Sequence, residues 1–256
     1  MPQSQTTTLA GAEAGGPVNR KISPVADLLR ESWVSYKNNF WRFVGMLLVP
    51  LLGMLPLAII FILNGVLTYL NNGNIVLLFL RYLLILLGAG SVVFLVIMAI
   101  ISRAGLFVMV KNAVEHPTVK GSFLEAKKIS WKFFATSVIT AFFVFLWTLL
   151  LIIPGIIAAV NYGFALWFLV YEGVGGVSAI KRSRELVRGY WWAVAGRLLL
   201  LQALFFLLIV LPLTFTKNEI FVLIWNFVSQ IVSFAFMPFA LIYSHLIYQD
   251  LRKIKL

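Results

Sequence analysis

The feature that most constrains this chain is how far it can be read without meeting a charge. Between Phe133 and Tyr171 lie 39 residues with no Asp, Glu, Lys or Arg. Further charge-free apolar runs cover Phe43–Leu63, Tyr82–Ile101, Leu198–Thr216 and Ile220–Ser244. A helix needs about 20 apolar residues to cross a hydrocarbon core, and runs of that length have no place in a water-soluble fold. Composition agrees: 61% of the 256 residues are hydrophobic and 12% charged, against roughly 45–50% and 25% in soluble domains. A soluble enzyme and a disordered chain are both excluded. With no cysteine in the chain, disulfides, thiolate metal sites and a cysteine nucleophile are excluded as well.

The 39-residue run is too long for one helix and tight for two. A single crossing would leave Lys127, Lys128 and Lys132 on one side of the membrane and Lys181, Arg182, Arg184 and Arg188 on the other. A hairpin turning at Pro154-Gly155 puts all seven on the same side. Its two arms are expected near 134–153 and 156–172, and a full crossing and a re-entrant loop both remain open. The expected fold is therefore all-α, with six transmembrane helices in three hairpins (spans near 43–63, 82–101, 134–153, 156–172, 198–216 and 220–244). Asn71-Asn72-Gly73-Asn74 and the polar TKNE segment at 216–219 are the other two turns. Residues 1–22, which contain no apolar run, are expected to form a flexible polar tail, 23–250 the membrane domain, and 251–256 a basic cytoplasmic C-terminus.

Charge then sets orientation. Of 21 Lys and Arg residues, 19 fall in the N-terminal segment, the 103–132 loop, the 173–197 loop and the C-terminus, which an even span count places together. Only Arg81 and Lys217 fall opposite. Positive loops stay in the cytoplasm, so both termini are expected there, in a plasma membrane. The same partition accounts for the net charge of +12 without nucleic acid as a partner.

The basic segments resemble one another. Aligning Ser32 in RESWVSYKNNFWR with Ser183 in KRSRELVRGYWWA pairs Lys37 with Arg188, Phe40 with Trp191 and Trp41 with Trp192. A weaker copy, LEAKKISWKFFA, has Ala126 at the serine position and Phe134 at the aromatic one. The first copy is expected to begin at a Ser23 cap followed by Pro24. Ser122 and Glu125 have the spacing of a capping box for the middle one. Each copy reads as a basic amphipathic helix feeding a hairpin, with apolar side chains toward lipid, cations toward phosphates, and Trp and Tyr at headgroup depth. Candidate contacts to anionic headgroups are Arg30, Lys37, Lys127, Lys128, Lys181, Arg182, Arg184 and Arg188. Simple anchoring of the helices explains the same residues.

SWVSYKNNFWRFVGM, IIPGIIAAVNYGFALWFLVYEG and AIKRSRELVRGYWW resemble the membrane domain fused to some glycerophosphodiester phosphodiesterases and shared by a broad set of prokaryotic membrane proteins. The resemblance covers most of residues 24–250. It implies a fold and a prokaryotic plasma membrane. In the fused enzymes the chemistry belongs to a separate barrel with acidic metal ligands and histidines, which this sequence lacks, so no phosphodiesterase activity is implied.

The search for chemistry is otherwise empty. There is no phosphate loop, no H-E-x-x-H and no nucleophile elbow. His116 and His245 have no acidic neighbours in sequence and read as a loop residue and an interfacial one. No Asp or Glu falls inside a span, which weighs against proton-coupled transport. Asn226, Ser229, Gln230 and Ser233 form one helical face of the last span, to which Gln202 and Asn161 can turn. That stripe serves either interhelical hydrogen bonding or a polar path. No enzyme activity, cofactor or metal is expected. The expectation is a membrane scaffold or accessory protein working with anionic lipid, a protein partner or a second copy of the chain; the alternative is a transporter or channel for a small solute or lipid.

Overall fold

The computed structural model describes residues 22–70, 74–115, 117–214 and 218–255. Among these there are eight α-helices and no strand: α1 (Val25–Leu70), α2 (Ile75–Lys111), α3 (Val119–Leu150), α4 (Ile152–Tyr162), α5 (Ala165–Glu172), α6 (Gly176–Val187), α7 (Trp191–Thr214) and α8 (Glu219–Lys255), with one 3-10 turn at Ala113–Glu115. Six stretches are long and apolar enough to cross a membrane: α1, α2, α3, α4 with α5, most of α7, and α8. His116 and Lys217, most of the Asn71–Asn74 turn, and residues 1–21 lie outside the described residues.

Consecutive helices pair antiparallel. The Ser102 hydroxyl donates to the Met46 carbonyl at 2.6 Å, Gly53 lies against Leu95, and Gly88 against Ile60, so one partner's number falls as the other's rises. Phe205 stacks on Phe236 at 4.0 Å, and the Trp225 indole donates to the Ile209 carbonyl further along the same pair. Phe143 meets Tyr162 across α3 and α4.

Burial is concentrated at one end of these pairs. The closed core gathers Leu28–Leu47 of α1, Ile101–Val110 of α2, α5, α6 and the last third of α8, around Trp167, Tyr243 and Tyr248. Beyond it the helices expose Leu, Ile and Phe almost all round, as at Phe61 and Ile75 (both 80% exposed). Lipid tails are as apolar as these side chains, so there is no drive to bury them against protein. The basic segments adjoin the closed end.

Several expected local features differ. Ser23 is not seen as a side-chain cap for α1; instead its backbone N–H donates to Asp250 at 2.9 Å and its carbonyl accepts from Arg197. Ile22 is buried in the core and so does not belong to a tail. The C-terminal residues through Lys255 continue α8, with Leu251 fully buried. In the middle copy Thr118 caps α3 by accepting from Gly121 N–H at 3.1 Å. The helix thus starts four residues before the expected capping box, leaving Ser122 buried without a partner and Glu125 facing Lys111 at 3.6 Å.

The middle hairpin turns at Leu151, the one extended residue between α3 and α4. Pro154 follows within the first turn of α4, where no intrahelical donor is needed, and Gly155 closes the turn. A Cβ on Gly155 would lie 2.2 Å from Thr148 Oγ1 and 2.8 Å from Thr148 Cα. Gly155→Ala is therefore expected to destabilise the protein by about 1–3 kcal/mol. Gly65→Ala on α1, with nothing within 4 Å, should leave stability unchanged or slightly raised. Thermal unfolding of the two variants in detergent provides the check.

Candidate functional site

The three basic segments occupy equivalent places in the core. Ser32, Ala126 and Ser183 are each fully buried, and so are their counterparts one turn earlier, Leu28, Ser122 and Ala179 (at most 3% exposed). Trp41 and Trp192, paired by the same alignment, are 80% and 84% exposed. Mostly small residues therefore occupy the buried positions, and the paired tryptophans are exposed.

The copies differ in continuity. In the first and second, the basic segment runs without a break into the following helix, giving the 46-residue α1 and the 32-residue α3. In the third, α6 ends at Val187 and α7 begins at Trp191. Gly189 lies between them at φ +88°, a conformation that costs any other residue about 1–2 kcal/mol. The aligned positions, Asn38 and Lys132, are helical. One glycine thus makes the third basic segment a separate helix.

Ser183 does more than fill space. Its hydroxyl accepts from the Phe164 N–H at 3.1 Å and donates to the Asn161 carbonyl at 2.7 Å. Gly163 and Phe164 interrupt what would otherwise be one helix from Ile152 to Glu172, and Ser183 supplies partners for backbone groups at that interruption. The 156–172 span expected from sequence is consequently two short helices. α4 leans on α6, and α5 turns into the aromatic core.

That core absorbs His245, which sequence reasoning placed at an interface. It is 6% exposed, pairs with the Tyr171 hydroxyl at 2.5 Å and packs on Trp167. No spacing in the sequence joins residues 167, 171 and 245; only the meeting of α5 and α8 does.

The eight candidate headgroup cations separate into groups. Arg182 pairs with Glu172, which also meets Arg252 at 3.5 Å, so it is used inside the protein. Arg30 lines a crevice shared with Asp27 and Glu31. Lys37, Lys127 and Lys128 are exposed. Lys181, Arg184 and Arg188, at positions i, i+3 and i+7 of the third segment, line one crevice of about 620 Å³ with Asn161, Glu185, Gly189 and Trp191. Among the described residues no carboxylate pairs with these three. Asn161 and Arg184 also line an adjoining crevice of about 250 Å³, otherwise walled by Trp147, Pro154, Ile157, Ala158 and Tyr162. Asn161 and Arg184 thus line both crevices, the larger with cationic side chains and the smaller mostly with apolar ones. Lys255 closes the α6 end by donating to the carbonyls of Glu185 and Arg188.

The polar stripe of α8 does not gather. Asn226, Gln230 and Ser233 are exposed and Ser229 partly so. The two serine hydroxyls donate to their own helix, at Asn226 and Ser229 carbonyls. Gln202 is exposed on α7, and Asn161 belongs to the α6 crevice. Among the described residues no group of His, Asp and Glu is arranged to hold a metal ion.

Compared with known family models, curated proteins and solved structures, the chain has no significant match.

Ser183→Ala is expected to cost about 2 kcal/mol, because it leaves a buried donor and a buried acceptor without partners. Urea or thermal unfolding in detergent measures it, and Ser137→Ala on α3, whose hydroxyl bonds only its own helix, should cost far less.

Proposed function

We propose that this protein is a non-enzymatic, multi-pass plasma-membrane protein that acts as a scaffold or accessory factor on anionic lipid through its basic helices. In this reading the two outer hairpins cross the bilayer, the middle hairpin enters it from the same side, and both termini are cytoplasmic. The fold would be of the kind fused to some glycerophosphodiester phosphodiesterases. The observation that carries the reading is the face of α6. Lys181, Arg184 and Arg188 are brought together with no carboxylate pairing them, whereas Lys111, Arg182, Arg197 and Arg252 are consumed by internal partners. Each cation near an anionic leaflet contributes about 1 kcal/mol, so these three, with Glu185 offsetting one of them in the same crevice, favour anionic over neutral lipid by about 2 kcal/mol. A transport path draws little support from the α8 stripe, which is largely exposed and whose serine hydroxyls bond their own helix.

Two experiments test this. Lys181→Glu, Arg184→Glu and Arg188→Glu together should abolish enrichment of phosphatidylglycerol over phosphatidylcholine around the reconstituted protein, while Arg30→Glu should alter it little. Equal enrichment by both would remove the lipid role. For orientation, the chain has no cysteine to mask. Single cysteines at Asn74 and Glu219 should react with an impermeant maleimide from outside intact cells, and cysteines at Thr118 and Lys253 only after permeabilisation.

A further inference from the structure

The depth of the middle hairpin follows from where α6 touches it. α6 carries Lys181, Arg182, Arg184 and Glu185, with Arg188 at its C-cap, and the lipid reading above puts it in the headgroup layer. It is held directly on α4 through Ser183 and Asn161 (2.7 Å) and on α3 through the Gly176 N–H and Thr136 (2.8 Å). From Asn161 to the apex at Leu151, a rise of 1.5 Å per residue gives about 15 Å; from Thr136 it gives about 22 Å. The hydrocarbon core is about 30 Å thick. The hairpin therefore stops inside it.

The apex has the chemistry of a turn that stays in lipid. Leu149, Leu150, Leu151, Ile152 and Ile153 are 64–73% exposed, with no polar side chain among them. The turns beginning α2 and α8 are capped instead by Asn74 and Asn218, whose side chains accept from Val76 and from Ile220 and Phe221. At the apex the backbone limits its own exposure: Leu151 N–H bonds Trp147 O, Gly155 N–H bonds Leu151 O, and Pro154 has no N–H to satisfy.

A shallow hairpin beside a basic helix makes the paired crevices a vertical slot in one leaflet. Its cationic end lies at the headgroup layer, with Lys181, Arg184 and Arg188. Its apolar end, with Trp147, Pro154 and Ile157, points toward the apex and hence into the hydrocarbon. We propose that this slot binds one anionic glycerophospholipid of the cytoplasmic leaflet, its phosphate on Lys181, Arg184 and Arg188 with Asn161 beside them, and one acyl chain against Trp147, Pro154 and Ile157. This site rests on the lipid reading above and narrows it from a charged surface to a single bound molecule. Polarity order selects the ligand: a free phosphate leaves the apolar end empty, and a neutral lipid leaves three cations unpaired.

Native mass spectrometry of the full chain from nanodiscs of mixed phosphatidylglycerol and phosphatidylcholine tests the proposal. Wild type should retain one phosphatidylglycerol. Arg184→Ala and Ile157→Trp, which fills the apolar end at a 42% exposed position without touching charge, should each cut retention about tenfold. Lys127→Ala with Lys128→Ala should not, and millimolar inorganic phosphate or glycerol phosphate should not displace the lipid. Ile157→Phe serves if the larger substitution fails to fold. Undiminished retention in the Ile157 variants, with loss in Arg184→Ala, overturns the slot and leaves the surface reading standing; retention unaffected by either overturns both. Displacement by phosphate alone overturns a lipid ligand. A fluorophore at Ile153 should be quenched by nitroxides deep in the acyl chains; labelling of a cysteine there by an aqueous reagent from outside overturns the shallow hairpin and the slot with it.

Discussion

The structure turns on the two hydrogen bonds of Ser183. A helix interrupted inside a membrane protein must find partners for the backbone groups it releases, because lipid offers none. Here one hydroxyl from α6 takes the N–H of Phe164 and gives its proton to the carbonyl of Asn161. That bridge permits the break at Gly163-Phe164, and the break permits everything around it. α5 can leave the hairpin axis and bring Trp167 and Tyr171 to His245 and Tyr248. α4 can be as short as 11 residues, and α6 is tied to it at a fixed height.

The use of cations follows from the same packing. Arg197 reaches from α7 to the carbonyls of Ile22 and Ser23, clamping the chain ahead of α1. Lys111 donates to the Val170 carbonyl and sits over Tyr171. Lys255 reaches the last carbonyls of α6, where a cation also suits the negative end of the helix dipole. These side chains are structural. What distinguishes Lys181, Arg184 and Arg188 is that they line one crevice without an ion pair among the described residues, beside a second crevice walled mostly by apolar side chains.

Much of the organisation was legible in the sequence because membrane solvation imposes it residue by residue. The charge-free runs correspond to the long helices, and the alignment of Ser32 with Ser183 and Ala126 marks three fully buried positions. Local chemistry was less reliable. Ser122 and Glu125 have capping-box spacing, yet Thr118 caps the helix, since an equally good hydroxyl stood earlier in the chain. Pro154-Gly155 marked the turn, but the extended residue is Leu151, because proline belongs just inside a helix start and not at its tip. The periodicity of the α8 stripe left both interhelical hydrogen bonding and a polar path open; periodicity identifies a face without saying what that face meets.

The sequence by itself determined that this is a helical membrane protein, how long its apolar segments are, where its charges fall between them, and which segments repeat. Each of these depends on the local cost of placing a side chain in lipid or water, which is a property of the residue. Only the tertiary structure decided that His245 is buried against Tyr171, that Arg182 is spent on Glu172, and that α4 is tied to α6 through Ser183. These depend on which distant segments meet, and interhelical contacts are set by shape and backbone satisfaction, for which composition and charge carry no record.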